Sequence, residues 1–159
     1  MNVTIICIGK LKEQYWKDAV AEYSKRLKSY CSLNIVELKE SRLAANPGAA
    51  EEIAVVEAEG KEILERTDSS MYVVSLEIKG KKLSSEALSE KIGNLALEGK
   101  SNIAFVIGGS LGLSPEVSSR ADLKLSFSDM TFPHQMMRVI LLEQIYRSFK
   151  ILKHEPYHK

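Results

Sequence analysis

The chain has 159 residues, 45% of them hydrophobic, and a formal net charge of +1. That length suits one compact domain over residues 1–159 with a sizeable core, and excludes a second full domain. The near-neutral total announces no nucleic-acid partner by itself, and two cysteines make no disulfide framework.

The opening M-N-V-T-I-I-C-I-G-K lacks a basic leader, and its apolar run is too short for a signal peptide. No run approaches ~20 apolar residues, so no membrane span is expected. A reducing cytoplasm fits the cysteine usage. Val3–Ile8 reads as a buried strand rich in β-branched residues. Residues 12–30 read as a helix with Tyr15, Trp16, Ala19, Val20, Tyr23 and Leu27 on one broad face. Leu33–Leu38 reads as a second strand, and Asn-Pro-Gly within Arg42–Gly48 as a turn. Glu51–Arg66 follows as an acidic helix and Met71–Leu76 as a third strand.

Gly80 and its flanking lysines read as the next turn. Ser84 or Ser85 caps a helix running to about Glu98, with Leu88, Ile92 and Leu95 on its inner face. Gly99 ends that helix. Ile103–Ile107 is a fourth strand, a helix starts near Pro115, and Leu123–Leu125 is a weak fifth strand. The last helix begins near Pro133, where a missing N–H costs nothing, and carries the ladder Met137, Leu141, Ile145 and Phe149. Alternating strands and helices predict an α/β fold with a mainly parallel sheet flanked by helices. Ligands in such sheets gather beyond the carboxyl ends of the strands, which points to the segments after Leu76, Ile107 and Leu125.

Charge is unevenly spread. Residues 10–30 carry a net +3, 31–70 a net −5, and 138–159 a net +3, while 71–137 balance. Both basic segments could face one polyanion; ordinary solvated helix faces are the other reading.

Three stretches carry chemistry. The first, F-V-I-G-G-S-L-G-L-S-P-E-V from Phe105 to Val117, is a strand, a glycine turn and a helix start. The dinucleotide pattern G-x-G-x-x-G fails because its first glycine is missing, and no G-x-x-x-x-G-K-[S/T] loop exists. What remains is a turn whose uncovered backbone can approach an adenine, a ribose or a phosphate, or simply a tight turn. The second stretch, S-F-S-D-M-T-F-P-H-Q-M-M-R, leads into the last helix. His134 and Arg138, four residues apart, share its first turns: an Arg can hold a phosphate and a His can pass a proton near neutral pH. Taken alone, the stretch is read more simply as a capped amphipathic helix with a solvent-facing His and Arg. The third is the tail E-P-Y-H-K, where Tyr157 and His158 could stack on a base or bond to it, or fray. His154 and His158 have zinc-pair spacing, but Pro156 breaks the helix between them and no third ligand is evident, so no metal site is expected.

Taken together, V-V-S-L-E, F-V-I-G-G-S-L-G-L, L-S-F-S-D-M-T-F-P-H-Q-M-M-R-V and the terminal P-Y-H closely resemble the RlmH family, within the SPOUT class of methyltransferases, over essentially the whole chain. The resemblance implies an α/β domain with a C-terminal deep trefoil knot, which periodicity could not show, and a homodimer. It implies transfer of a methyl group from S-adenosyl-L-methionine to N3 of a pseudouridine in 23S rRNA within the ribosome, without metal. It places Leu76, Gly108, Phe127, Ser128, Asp129, Met130, Thr131 and Phe132 around the cofactor. His134, Arg138, Tyr157 and His158 are the expected catalytic or base-contacting residues, with Asp129 a further proton acceptor. A ribosome-binding factor without enzymatic activity, and a small-molecule enzyme using another nucleotide, are the rival readings.

Overall fold

The computed structural model describes residues 1–159. In chain order it contains β1 (Asn2–Ile8), α1 (Gln14–Leu27), β2 (Ser32–Leu38), α2 (Ala49–Glu65) and β3 (Tyr72–Lys82). There follow α3 (Ser85–Leu97), β4 (Asn102–Ile107), α4 (Pro115–Arg120), β5 (Leu123–Ser126) and α5 (His134–Leu152). The strands form one sheet in the order β2-β1-β4-β3-β5, every pairing parallel.

The sheet is covered on both faces, and its central strands show why their sequences are continuously apolar. Val3, Ile5 and Cys7 of β1 and Ile103, Phe105 and Ile107 of β4 point to one side, onto Leu27 of α1, Leu88, Ile92 and Leu95 of α3, and Leu141, Leu142, Ile145 and Phe149 of α5. The alternate residues Ile6, Ile8, Ala104 and Val106 point to the other side, onto Ile63 of α2 and Val117 of α4. The period of two thus feeds two cores from one strand. Burial raises the Cys7 thiol pKa to about 11.

The predicted elements form, with informative differences. Ser84 caps α3 by accepting the Ala87 N–H at 3.1 Å, and Ser114 caps α4 by accepting that of Val117. Pro133 sits one position outside α5, at its cap, with the Met137 N–H bonded to its carbonyl. The broad face expected of α1 is shallower than its pattern: Leu27 is buried and Val20 and Tyr23 pack on the core, but Tyr15 is 62% exposed. α1 lies on α5, Tyr23 meeting Tyr146 edge-on, so Tyr15 and Trp16 pair with each other near the surface.

The clearest correction concerns Gly80. The turn expected there is absent as a strand end, because β3 continues to Lys82. Its pairing with β5 slips instead: Leu76 faces Leu125, and so does Lys81. Residues 77–80 are bulged out of register, a device that re-aims side chains at a sheet edge. That bulge becomes part of the candidate site.

Candidate active site

The carboxyl ends of β3, β4 and β5 lie side by side, and the segments leaving them enclose a cleft of about 720 Å³. Its walls are Leu76–Lys79 from the β3 bulge, Ile107–Leu113 after β4, and Leu125, Phe127, Ser128, Met130, Thr131 and Phe132 after β5. His134 and Met137 from the first turns of α5 close it. The volume is that of a small-molecule site.

The glycine turn explains the cleft's shape. Gly112 has φ +84°, the left-handed region that glycine enters freely. A Cβ on Gly108 would lie 2.8 Å from the Gly112 carbonyl oxygen and 2.9 Å from Leu113 Cδ2. The turn therefore folds onto itself with bare backbone toward the cleft, while Leu76, Leu113, Leu125, Phe127 and Met137 supply apolar surface. Such a site can flank a flat heterocycle and bond its polar edge through main-chain groups. Behind the turn lies a buried carboxylate. Glu59 of α2 is 5% exposed; its Oε1 accepts the Ser41 N–H at 3.0 Å, and Oε2 would lie 2.7 Å from a Cβ on Gly109. Burial raises its pKa, the Ser41 bond opposes the rise, and Glu40 and Glu62 add to it.

The loop after β5 is pinned internally. The Met130 N–H donates to Ser128 Oγ at 3.0 Å, and the Ser126 hydroxyl to the Ser128 carbonyl at 3.2 Å. Of the expected cofactor residues, Leu76, Gly108, Phe127, Ser128, Met130, Thr131 and Phe132 line the cleft. Asp129 does not; its carboxylate pairs with Lys82 and points to solvent.

The expected catalytic residues separate. His134 lines the cleft, and burial lowers its pKa, the Arg138 charge assisting and Glu40 opposing. The imidazole is thereby kept neutral near pH 7 and able to accept a proton. Arg138, four residues on, turns the other way and is 2% exposed. Its guanidinium donates to Glu37 Oε1 at 2.8 Å, to the Ile8 carbonyl at 2.9 Å and to the Gly9 carbonyl at 2.7 Å; only Nε lacks a partner. These bonds replace the phosphate contact expected of it: the side chain ties α5 to the ends of β1 and β2. Sharing a helical face did not mean sharing a cleft, because a buried strand end captured the longer side chain.

Tyr157 and His158 lie apart from the cleft walls. Tyr157 donates to Glu143 Oε1 at 3.1 Å and packs edge-on against Tyr146, with Arg147 over its ring. His158 Nδ1 meets Arg147 at 3.1 Å and Nε2 meets Glu86 at 2.7 Å. The tail is docked rather than frayed. No group of three or more His, Cys, Asp or Glu side chains is placed to hold a metal ion, and no helix is long and apolar enough to cross a membrane.

Two cleft features escaped the sequence reading. Glu77 and Lys79 line the site because β3 bulges, and alternation cannot reveal a register slip. The available signal for Glu77 was its place directly after a predicted strand end.

The comparisons with known proteins agree with this geometry. Residues 1–158 match the family model described as "Predicted SPOUT methyltransferase". The chain is 61% identical over 159 residues to ribosomal RNA large subunit methyltransferase H of Clostridium novyi (strain NT), and 57% identical to the protein of that name from Clostridium kluyveri, with all of each chain covered. Among solved structures it is similar in fold to a methylase family protein from Haemophilus influenzae Rd KW20, with TM-score 0.54 and 15% identity, over 99% of this chain and 70% of that one. A parallel five-stranded sheet, a ligand-sized cleft over adjacent strand ends and these full-length likenesses have one common meaning: the chain belongs to the SPOUT methyltransferases, in the family of ribosomal RNA large subunit methyltransferase H.

Proposed function

We propose that this chain methylates N3 of a pseudouridine in 23S rRNA on the assembled 70S ribosome, using S-adenosyl-L-methionine. The observation that carries the reading is the cleft at the β3, β4 and β5 ends, in a chain similar throughout its length to proteins named for ribosomal RNA methylation. The cofactor fits the residues present. Leu76, Leu113, Leu125, Phe127 and Met137 would flank its adenine, and the bare backbone around Gly108 and along residues 127–132 would meet its polar edges. When bound, it supplies an electrophilic methyl group on a sulfonium centre.

The protein's part is alignment and proton handling. N3 of a pseudouridine carries a proton that must leave as the nitrogen attacks. His134, neutral and at the cleft wall, is the base we assign to it. Arg138 positions the start of α5, and with it His134, through its bonds to the β1 end. Tyr157 and His158 are assigned to contact with the target nucleotide. The remaining parts of the reading are a single domain whose C-terminal segment forms a deep trefoil knot, a homodimer that widens the RNA-facing surface, and work in the cytoplasm. The basic segments 10–30 and 138–159 form the RNA footprint, so binding should weaken steeply with salt.

The test is transfer of tritium from labelled S-adenosylmethionine to 70S ribosomes from cells lacking this protein. Label on a pseudouridine of 23S rRNA is the expected result. Absence of label, with folded protein and unmethylated ribosomes, would overturn the reading in favour of a ribosome-binding factor.

A further inference from the structure

The cleft wall carries one acidic side chain, Glu77. It is the first residue of the register slip in β3 and is half-buried. Its Oε1 accepts the hydroxyl of Ser75 at 2.6 Å, and its Oε2 the hydroxyl of Ser118 at 3.1 Å. Ser75 is fully buried in β3 and Ser118 belongs to α4, so two elements fix the carboxylate. Both donors are neutral. Glu77 takes part in none of the eight salt bridges of the chain. An anion held in place at a cleft wall, with no ion-pair partner although Lys79 lines the same cleft, is a preorganised electrostatic receptor for a cation.

We propose that Glu77 senses the positive charge at the sulfur of the methyl donor, and so makes the cleft prefer the donor over its demethylated product. The inference rests on the S-adenosylmethionine reading above. Transfer breaks the sulfur–methyl bond, with its electron pair going to sulfur, forms the bond from N3 to the methyl carbon, and releases the N3 proton. Sulfur begins as a sulfonium cation and ends as a neutral thioether. Apart from the transferred methyl itself, donor and product are alike, so a fixed anion facing sulfur is one of few ways to tell them apart. Backbone contacts and apolar walls bind both equally, and a site built only of those would be held by its own product. Glu77 supplies the difference, strengthening donor binding relative to product binding without a conformational change.

The experiment is calorimetric binding of S-adenosylmethionine, S-adenosylhomocysteine and sinefungin to the whole chain and to Glu77→Gln. Sinefungin carries an ammonium-bearing carbon in place of the sulfonium and transfers nothing. Glutamine keeps the shape and can still accept a serine hydroxyl. The expected result is a loss of about five- to ten-fold for the two cationic ligands and less than about two-fold for the homocysteine product. Equal losses for all three would overturn the proposal, because the carboxylate would then hold the loop or a shared part of the ligand. No loss for any would overturn it as well. Failure of the wild-type chain to bind any of the three would instead overturn the cofactor reading beneath it. Should Glu77→Gln unfold, the wild-type chain still tests the idea: the donor must bind more tightly than the homocysteine product, and equal affinities would overturn it. Glu77→Asp, which keeps the charge, should keep the preference.

Discussion

The cleft and the carboxyl-terminal cluster are built on opposite terms. Around the cleft, main chain and apolar side chains dominate the lining, with Glu77, Lys79 and His134 among the few charged or titratable groups, and all the expected ligand-holding residues but Asp129 stand there. In the cluster, Glu86, Glu143, Arg147, Tyr157 and His158 occupy one another, with no comparable cavity between them. The cleft is ready for a ligand as it stands. The cluster can contact one only by exchanging partners. That difference predicts separable phenotypes: lesions in the cleft should act on cofactor affinity, and lesions in the cluster on transfer alone.

The comparison breaks most completely at Arg138, because α5 carries the cleft at its start and the cluster toward its end. Arg138→Met removes the guanidinium donor from the Ile8 and Gly9 carbonyls and from Glu37, which keeps only the Leu11 N–H. Urea unfolding should show a loss of about 3 kcal/mol, the scale for breaking a buried charged network. A variant of unchanged stability would mean that the guanidinium is free for the RNA role expected from sequence. The second effect in size belongs to the glycine turn. Gly108→Val places branched carbon where Gly112 and Leu113 already stand. Calorimetry should show cofactor binding weakened at least about a hundred-fold, with the far cluster intact. Smaller again is the cluster's own phenotype. His158→Ala should lower methyl transfer about ten-fold while cofactor affinity stays within about two-fold. An equal fall in both would erase the distinction between the regions.

Much of this was legible in the sequence, for identifiable reasons. β1 and β4 announced themselves as continuous β-branched runs because both their faces are buried. The cleft's position followed from strand order and the rule that ligands sit beyond strand carboxyl ends. The glycine turn after β4 marked bare backbone by itself, but the assignment of Gly108 and Phe127 to a cofactor came from the family resemblance. Arg138 turns away from the cleft because helical spacing gives a direction but not the depth of what lies there. Glu77 and Glu59 were missed for related reasons: a register slip brings one to the cleft, and α2 brings the other from far along the chain.

The smallest predicted effects are also the ones with opposite signs. Glu59, behind the glycine turn, has its pKa raised from 4.5 by burial. An acid with a higher pKa folded than unfolded binds its proton more tightly in the folded state. Its contribution to stability is therefore fully present below pH 4.5 and lost as pH rises through the raised folded value. Glu59→Gln keeps an acceptor for the Ser41 N–H and removes that loss, so near pH 7 the variant should equal or exceed the wild type by less than about 1 kcal/mol. Its advantage should vanish below pH 4.5. Glu86, at the cluster, has its pKa lowered to about 2 by its own backbone N–H, with His158 and Ser84 assisting. Its contribution is present above 4.5 and lost as pH falls toward 2, so Glu86→Gln should flatten only the acid limb. Thermal melts of the two variants across pH place the regions on opposite sides of the stability curve. If both variants moved the same limb, the buried and the exposed carboxylate would share one environment, and the division between a ready cleft and a self-paired cluster would fail.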